Sequence, residues 1–233
     1  MARDIVTDRV HNKISRRIGG PATFISSALK KQKIDVVMHT GFVVDVNIEV
    51  DEFGETGCVS AIPANEKPGV CQSGVAIIST LSHEWNPQEI IEGCEQTFLD
   101  VQGFVRGPDV LGRKCVWKDF RGDWIKKIKC LKTTELELSF LPKKSVEDQK
   151  TRMLLVTKGV DGVDVYVEGK LMSFRPPRVV LPRDTIGAGD TFFAHTIARM
   201  ILGDAPHVAV VVALEETSRF LEKKVLGDSH QKR

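Results

Sequence analysis

The chain has 233 residues, of which 42% are hydrophobic and 27% are charged, with a net charge of +2. This length allows one substantial core, and the near-neutral charge gives no indication of nucleic acid or an anionic membrane as a partner. No apolar run approaches the length of a membrane span and the N-terminus has no signal-peptide core, so we expect a cytoplasmic protein. The five cysteines are spaced too widely for a zinc knuckle or a redox pair, which predicts reduced thiols.

The first elements follow a pair of glycines, Gly19 and Gly20. Apolar residues at helical spacing in "GGPATFISSALKKQK" predict a helix, and "IDVVMHTG" (34–41) then predicts a buried strand. Residues 43–62 alternate apolar and polar positions around a turn at "EFGET", which predicts a β-hairpin with one face in water.

Strands and helices alternate through the rest of the chain. Short apolar stretches predict strands at "GVAIIS", "TFLDV", "CLKT" and "RMLLVTKG", and "VDVYVEGKLMSF" predicts a hairpin around Glu168 and Gly169. Helices are predicted at "NPQEIIEGCEQ", with Asn86 as its cap, at "DWIKKIKC", at 188–202 and at 206–224. Buried strands followed by helices predict a parallel sheet with helices on both faces, which binds ligands beyond the carboxyl ends of its strands.

The stretch "RDTIGAGDTFFAHTIARM" (183–200) places glycines and a carboxylate at the start of a helix. The backbone N–H groups of Gly187, Ala188 and Gly189 are suited to hold a phosphoryl group, because a helix N-terminus carries unpaired donors and partial positive charge. Asp190 has two interpretations. It accepts the proton of an attacking hydroxyl during phosphoryl transfer, or it is a capping residue in the first helical turn.

Five stretches together resemble one family. "DTIGAGDTF" is similar to the C-terminal signature of the ribokinase-like sugar kinases, the phosphofructokinase-B family. "IGGPATFISSALKK", "DVQGFVR", "TTELEL" and "VTKGVDG" resemble its other motifs in the family's order, over about residues 4–224. The residues of "IGGPAT" and "DVQGFVR" most resemble those of short archaeal-type members.

The resemblance implies one domain over 1–233, a three-layer α/β/α sandwich with a small β lid inserted at about 43–62. It implies transfer of the γ-phosphoryl of ATP to a hydroxyl of a sugar, polyol or nucleoside. Asp190 would be the base, and the backbone of Gly187, Ala188 and Gly189 would be the anion hole. The family pattern also suggests a homodimer through the lid, for which an apolar hairpin face at 43–50 would be suited.

Further roles are carried over on matching positions. The nucleotide would lie along four of them: Thr157, Gly159, Gly162 and Thr185. The substrate would be bound with the help of Asp4, Gly19, Gly20 and Arg106. Mg²⁺ would be held through water by Glu137, and a monovalent cation such as K⁺ by Asp184.

The chain departs from the family pattern at several positions. The family's first central strand is missing before Asp4, and Phe24, Gln102 and Thr134 stand where asparagines are usual. The shortened N-terminus and Thr134 leave open a non-catalytic regulatory protein that binds a nucleotide or sugar. The wider superfamily, which includes such enzymes, also leaves open a kinase of a heteroaromatic alcohol such as a vitamin precursor. For Arg106 the site role is favoured over a solvated loop arginine.

Overall fold

The structure is a computed structural model that describes residues 2–10, 12–39, 44–51, 54–59, 74–82, 87–108, 115–120, 122–182 and 184–230. Its strands are β1 (Ala2–Asp8), β2 (Lys13–Gly19), β3 (Val44–Asp51), β4 (Gly54–Val59), β5 (Val75–Ser79), β6 (Gln96–Asp100), β7 (Arg106–Pro108), β8 (Cys115–Trp117), β9 (Cys130–Thr134), β10 (Met153–Thr157), β11 (Val163–Val167) and β12 (Lys170–Phe174). Its helices are α1 (Pro21–Lys31), α2 (Gln88–Gly93), α3 (Gln102–Val105), α4 (Glu135–Leu138), α5 (Lys143–Lys150), α6 (Ala188–Ile201) and α7 (Pro206–His230). Short 3₁₀ helices span Asp123–Lys127 and Gly159–Asp161.

The main sheet has the strand order β12-β11-β10-β9-β6-β5. The strands β5, β6, β9 and β10 run parallel, and β11 and β12 add an antiparallel hairpin at one edge. This hairpin turns at Glu168 and Gly169, both of which have positive φ, as predicted. The carboxyl ends of the four parallel strands therefore meet along one edge of the sheet.

Apolar residues fill both faces of this sheet, because successive side chains of a strand point to opposite sides. Leu154 packs with α2, α5 and the 3₁₀ helix at Asp123–Lys127, whereas the adjacent Leu155 packs with α6 and α7. Both side chains are fully buried. The predicted three-layer α/β/α architecture is confirmed.

A second, four-stranded sheet has the order β2-β1-β3-β4, with β1 parallel to β3. It contains the predicted hairpin, β3 and β4, and it also contains β1, the strand that carries Asp4. Its apolar face packs against Leu81, which follows β5, and Ile186, which precedes α6. The small sheet therefore lies against the edge where the parallel strands end.

Several sequence predictions are corrected. Residues 34–39 form no strand, because they pair with none of the described strands, and most of them are exposed. The apolar side chains at 44, 46, 48 and 50 are buried within the chain, so they do not supply the exposed face that was expected to suit a dimer. The short helix predicted at "DWIKKIKC" is present as a 3₁₀ helix over Asp123–Lys127, and α7 extends past the predicted end at 224 to His230.

The cysteines differ from one another. Cys130 is a buried free thiol, whereas Cys94 is part of a disulfide bond, which corrects the prediction that all thiols are reduced. The predicted cap Asn86 lies outside the described residues. Within the described part of the chain, no helix has the length and apolar character needed to span a bilayer.

Candidate active site

The carboxyl ends of the parallel strands bring polar residues together. β5 ends at Ser79, β6 at Asp100, β9 at Thr134 and β10 at Thr157. Thr134 and Thr157 are direct register partners, and the Thr157 hydroxyl donates to the carbonyl of Thr133 over 3.2 Å. The edge is therefore lined by hydroxyl and carboxyl groups from consecutive strands.

A buried ion pair lies at the centre of this edge. Lys132 Nζ is 2.7 Å from Asp100 Oδ2, and the two side chains are 4% and 1% exposed. The backbone N–H of Gln102 donates to the other oxygen, Asp100 Oδ1, over 3.2 Å. Burial alone would lower the pKa of Lys132, but the carboxylates around it raise that pKa, so the lysine keeps its charge. A β-carbon on Gly189 would lie 3.1 Å from Lys132 Nζ, which places this cation beneath the start of α6.

Asp190 lies in the first turn of α6, beside this ion pair. Its side chain is enclosed by protein, although the residue keeps some contact with solvent. Burial raises the pKa of Asp190 to about 7, and the charge of Asp100 adds to the rise. The charges of Lys132 and Arg106 and the Ser79 hydroxyl oppose the rise without cancelling it. A carboxyl group with this pKa exchanges its proton readily near neutral pH.

Gly187 is the N-cap of α6 and has φ of +84°, in the left-handed region. A β-carbon at this position would lie 2.5 Å from the ring of Phe24. Phe24 makes an edge-to-face contact with Phe220 of α7, with the ring centroids 6.0 Å apart. The aromatic residue that replaces the family's asparagine therefore packs directly against the glycine loop.

Asp184 is held on both carboxylate oxygens. Oδ2 accepts from Arg17 Nη1, and Oδ1 accepts from the backbone N–H of Ile186 at 2.9 Å and lies 3.1 Å from Lys224 Nζ. Burial raises the pKa of Asp184, but the bond from Arg17 and the charge of Lys224 outweigh it and leave the pKa below its ordinary value. Lys224 Nζ also donates to the carbonyl of Ile186 over 2.7 Å.

Asp4 is buried on β1, with 2% exposure, and faces Arg17. Arg17 Nε lies 3.6 Å from Asp4 Oδ2. Burial raises the pKa of Asp4 more than the charge of Arg17 lowers it. Within the described part of the chain, Asp4 Oδ2 and the Nε and Nη2 groups of Arg17 are buried without a hydrogen-bond partner.

Glu137 takes part in a capping box with Thr134. The Thr134 hydroxyl accepts from the Glu137 N–H at 3.2 Å, and Glu137 Oε2 accepts from the Thr134 N–H at 2.8 Å. Burial and the charge of Asp100 raise the pKa of Glu137, against the opposing charges of Lys132 and Arg106. Thr134 thus orients Glu137 toward the same group of charges as Asp190.

The remaining predicted glycines differ in their surroundings. Gly159 has φ of +59°, and a β-carbon there would meet no atom within 4 Å. At Gly162, with φ of +98°, a β-carbon would lie 2.0 Å from the carbonyl oxygen of Phe174, so this glycine lets the loop pack against β12. At Gly19 a β-carbon would collide with the Asp4 carboxylate, and at Gly20 with Ala2.

The charged residues of the candidate site thus fall into two groups. The first, the α6 cluster, comprises Asp190, Glu137 and Arg106 together with Asp100 and Lys132. The second, the loop cluster, comprises Asp4, Asp184, Arg17 and Lys224.

The roles of Asp100, Lys132, Arg17 and Lys224 were not predicted from the sequence. A charged residue inside the otherwise apolar strand "CLKT" was the available signal for Lys132. No local signal marked Arg17 or Lys224, which are 167 and 40 residues from Asp184 along the chain.

Comparison with known proteins shows similarity to kinases in part of the sequence and in the fold. Residues 113–213 match the model of the pfkB family carbohydrate kinases. This match covers 101 of the 233 residues and includes the glycine loop at the start of α6. An adenosine kinase from Schizosaccharomyces pombe is 32% identical over 87 residues, which cover 36% of this chain and 26% of that protein. The match thus spans about a quarter of the length of this curated relative.

Solved structures share the fold over nearly the whole chain. A sulfate complex of a pyrophosphate-dependent kinase in the ribokinase family has a TM-score of 0.73 at 17% identity, covering 95% of this chain and 92% of that chain. Arabidopsis thaliana ribokinase complexed with ribose and ATP has a TM-score of 0.66 at 15% identity, covering 95% and 90%. At these identities the likeness establishes the fold.

Proposed function

We propose that the chain is a phosphotransferase that moves the γ-phosphoryl group of ATP to a hydroxyl group of a sugar, polyol or nucleoside. One observation carries the proposal: a carboxyl group with a pKa of about 7, Asp190, lies in the first turn of α6 beside the buried cation Lys132. A capping aspartate would gain from a lowered pKa, because the charged form interacts best with the helix terminus. A raised pKa instead suits a group that takes up and releases a proton near pH 7.

The chain's own residues have separable tasks in this proposal. Asp190 accepts the proton of the attacking hydroxyl. The backbone N–H groups at 187–189 and the charge of Lys132 stabilise the negative charge on the transferring phosphoryl group. Arg106 contributes further positive charge, which partly opposes the rise in the pKa of Asp190 and of Glu137.

The acceptor substrate is proposed to lie near Asp4, Gly19 and Gly20. The Asp4 carboxylate and the Arg17 guanidinium offer buried polar atoms that hydroxyl groups could satisfy, since a hydroxyl both donates and accepts. A polyhydroxylated substrate matches this arrangement better than a heteroaromatic alcohol, which presents fewer hydroxyl groups.

The donor is proposed to lie along Thr157, Gly159, Gly162 and Thr185. Gly159 leaves open space beside the end of β10, whereas Gly162 lets the loop pack closely against the backbone of Phe174. Since pyrophosphate-dependent kinases share the fold as well as an ATP-binding ribokinase, both donors belong in the test.

Mg²⁺ is proposed to bind at the α6 cluster with few direct protein ligands. No group of three or more histidine, cysteine or acidic side chains in the described residues forms a ready-made metal cage. Mg²⁺ bound to a nucleotide usually keeps several waters and needs few protein carboxylates. Glu137 would hold it through water, and the ion would neutralise charge on the phosphates.

The test is product formation from ATP or pyrophosphate with Mg²⁺ across sugars, polyols, nucleosides and heteroaromatic alcohols. The parent chain is compared with Asp190→Asn and with Asp148→Asn, a matched change on α5 at the opposite face of the main sheet. We expect turnover in the parent and in Asp148→Asn, and loss in Asp190→Asn. Nucleotide binding without turnover on any acceptor would contradict the proposal and favour the regulatory alternative.

A further inference from the structure

Asp184 marks the place where the family resemblance implies a monovalent cation, and the residues around it do not fit one. Its two carboxylate oxygens already accept from Arg17, from the Ile186 N–H and from Lys224. A metal ion at this loop would need the same oxygens. The disagreement lies in Lys224, whose ammonium group contacts one of these oxygens, Asp184 Oδ1, and the carbonyl oxygen of Ile186.

The contacts of Lys224 resemble the coordination of a small cation. Nζ lies 3.1 Å from Asp184 Oδ1 and 2.7 Å from the carbonyl oxygen of Ile186. It also lies 5.0 Å from the centroid of the Phe220 ring, within the range of a cation–π interaction. One carboxylate, one carbonyl and one aromatic face thus surround a single positive charge.

The charges of the loop cluster are balanced without any added ion. Asp4 and Asp184 carry two negative charges when ionised, and Arg17 and Lys224 carry two positive charges. A further cation would be repelled by both positive groups, and at Asp184 it would have to share carboxylate oxygens that Arg17 and Lys224 already contact. Lys224 is also only 17% exposed in its side chain, so solvent screens this repulsion weakly.

The position of Lys224 connects it to the glycine loop. The carbonyl that it binds belongs to Ile186, the residue before the N-cap Gly187. Ile186 in turn packs on the small sheet, and Phe220, one turn before Lys224, contacts Phe24 over the loop. Fixing this carbonyl fixes the chain direction into the first turn of α6, where Asp190 lies.

We propose that the ammonium group of Lys224 takes the place of a bound monovalent cation and holds the 184–187 loop in its working conformation, so that the protein is independent of K⁺. Lys224 is a positioning residue, since it acts through the loop. The consequence for turnover rests on the proposed phosphotransferase function, whereas the consequence for cation binding does not.

The test compares KCl with N-methylglucamine chloride at equal ionic strength. Lys224→Ala removes the charge and leaves room for an ion, whereas Lys224→Met removes the charge and fills most of the room. Lys223→Ala changes an exposed neighbour on α7 and is the control. We expect the parent and Lys223→Ala to show the same unfolding temperature and turnover in both salts.

In N-methylglucamine chloride, turnover of both Lys224 variants should fall. KCl or NH₄Cl should then raise the unfolding temperature of Lys224→Ala and increase its turnover by about fivefold or more, but not those of Lys224→Met. A K⁺-dependent rise in the unfolding temperature or turnover of the parent would overturn the proposal. It would also be overturned if K⁺ changed neither the unfolding temperature nor the turnover of Lys224→Ala. If the parent transfers no phosphoryl group at all, the proposed function fails and the unfolding temperatures still decide this inference.

Discussion

Two aspartates six residues apart, Asp184 and Asp190, have opposite pKa shifts. Both are removed from bulk solvent, which by itself raises the pKa of a carboxyl group. In the loop cluster, Arg17 and Lys224 contact Asp184 directly and bring its pKa below the ordinary value. In the α6 cluster, the charge of Lys132 is already paired with Asp100, so Asp190 keeps a pKa of about 7.

The comparison shows how the same residue type acquires opposite pKa shifts. A carboxylate with cations of its own stays ionised and holds structure. A carboxylate that shares one buried cation with other acids cannot ionise as easily, and so it remains able to exchange a proton.

The largest expected effect is on turnover when Asp190 loses its carboxylate. Asp190→Asn should lower turnover by roughly 10² to 10⁴, because a general base typically contributes that much. Steady-state rates with the best acceptor measure this. Parent-like turnover in the variant would mean that Asp190 is a capping residue.

The same variant should have the opposite effect on stability. Because the pKa of Asp190 is raised, the folded chain keeps a proton between about pH 4 and 7 that the unfolded chain has already lost. The free energy of unfolding therefore falls as the pH rises through this range. At pH 8, Asp190→Asn should therefore be more stable than the parent by about 1 to 2 kcal/mol, less than the full shift because the residue is partly exposed. Urea unfolding at pH 8 and pH 4 checks this, and the difference should disappear at the lower pH.

Breaking the buried ion pair should destabilise the α6 cluster. Lys132→Met leaves Asp100 buried without its partner and should lower the free energy of unfolding by about 3 to 5 kcal/mol. Chemical denaturation measures the loss. Lys132→Met combined with Asp100→Leu should recover much of it, and a double variant no better than the single one would show that the pair is not coupled.

Removing the charge of Asp100 should shift the pH profile of turnover. The parent should gain activity as the pH rises through about 7, where Asp190 loses its proton. Asp100→Asn removes a charge that raises this pKa and leaves Lys132 more attractive to Asp190, so the inflection should move to lower pH. An unchanged inflection would separate Asp190 from the titrating group.

The smallest effect is expected at the capping box, which orients Glu137 in the α6 cluster and does not touch the loop cluster. Thr134→Ala should lower the free energy of unfolding by about 1 kcal/mol, and Thr134→Ser should retain most of the stability because its hydroxyl can still accept from the Glu137 N–H. Thermal unfolding of the two variants compares them. Equal losses would indicate that the methyl group, rather than the cap, matters.

The elements predicted well were those whose pattern is local. The buried strands around Leu99, Leu131 and Leu155, the hairpin at Glu168-Gly169 and the helix after "GAGD" all appeared where periodicity placed them. The stretch 34–39 failed because an apolar run does not show whether a neighbouring strand is available to pair with it.

The candidate site was predicted in part. Asp190, Glu137 and Arg106 were chosen through motif resemblance, and the structure brings them into one group of charges. Asp184 was assigned to a monovalent cation through the same resemblance, and its motif carries no information about Lys224, which lies on α7.

The amino-acid sequence by itself determined the alternation of strands and helices, the family resemblance and the glycine loop at the start of α6, because these depend on neighbours within a few residues. Only the tertiary structure decided which charged side chains form ion pairs with one another. Lys132 pairs with Asp100 across adjacent strands, and Arg17 and Lys224 reach Asp184 from distant parts of the chain. The pKa of a buried carboxyl group depends on those through-space partners, and so the opposite pKa shifts of the two aspartates follow from packing rather than from their shared motif.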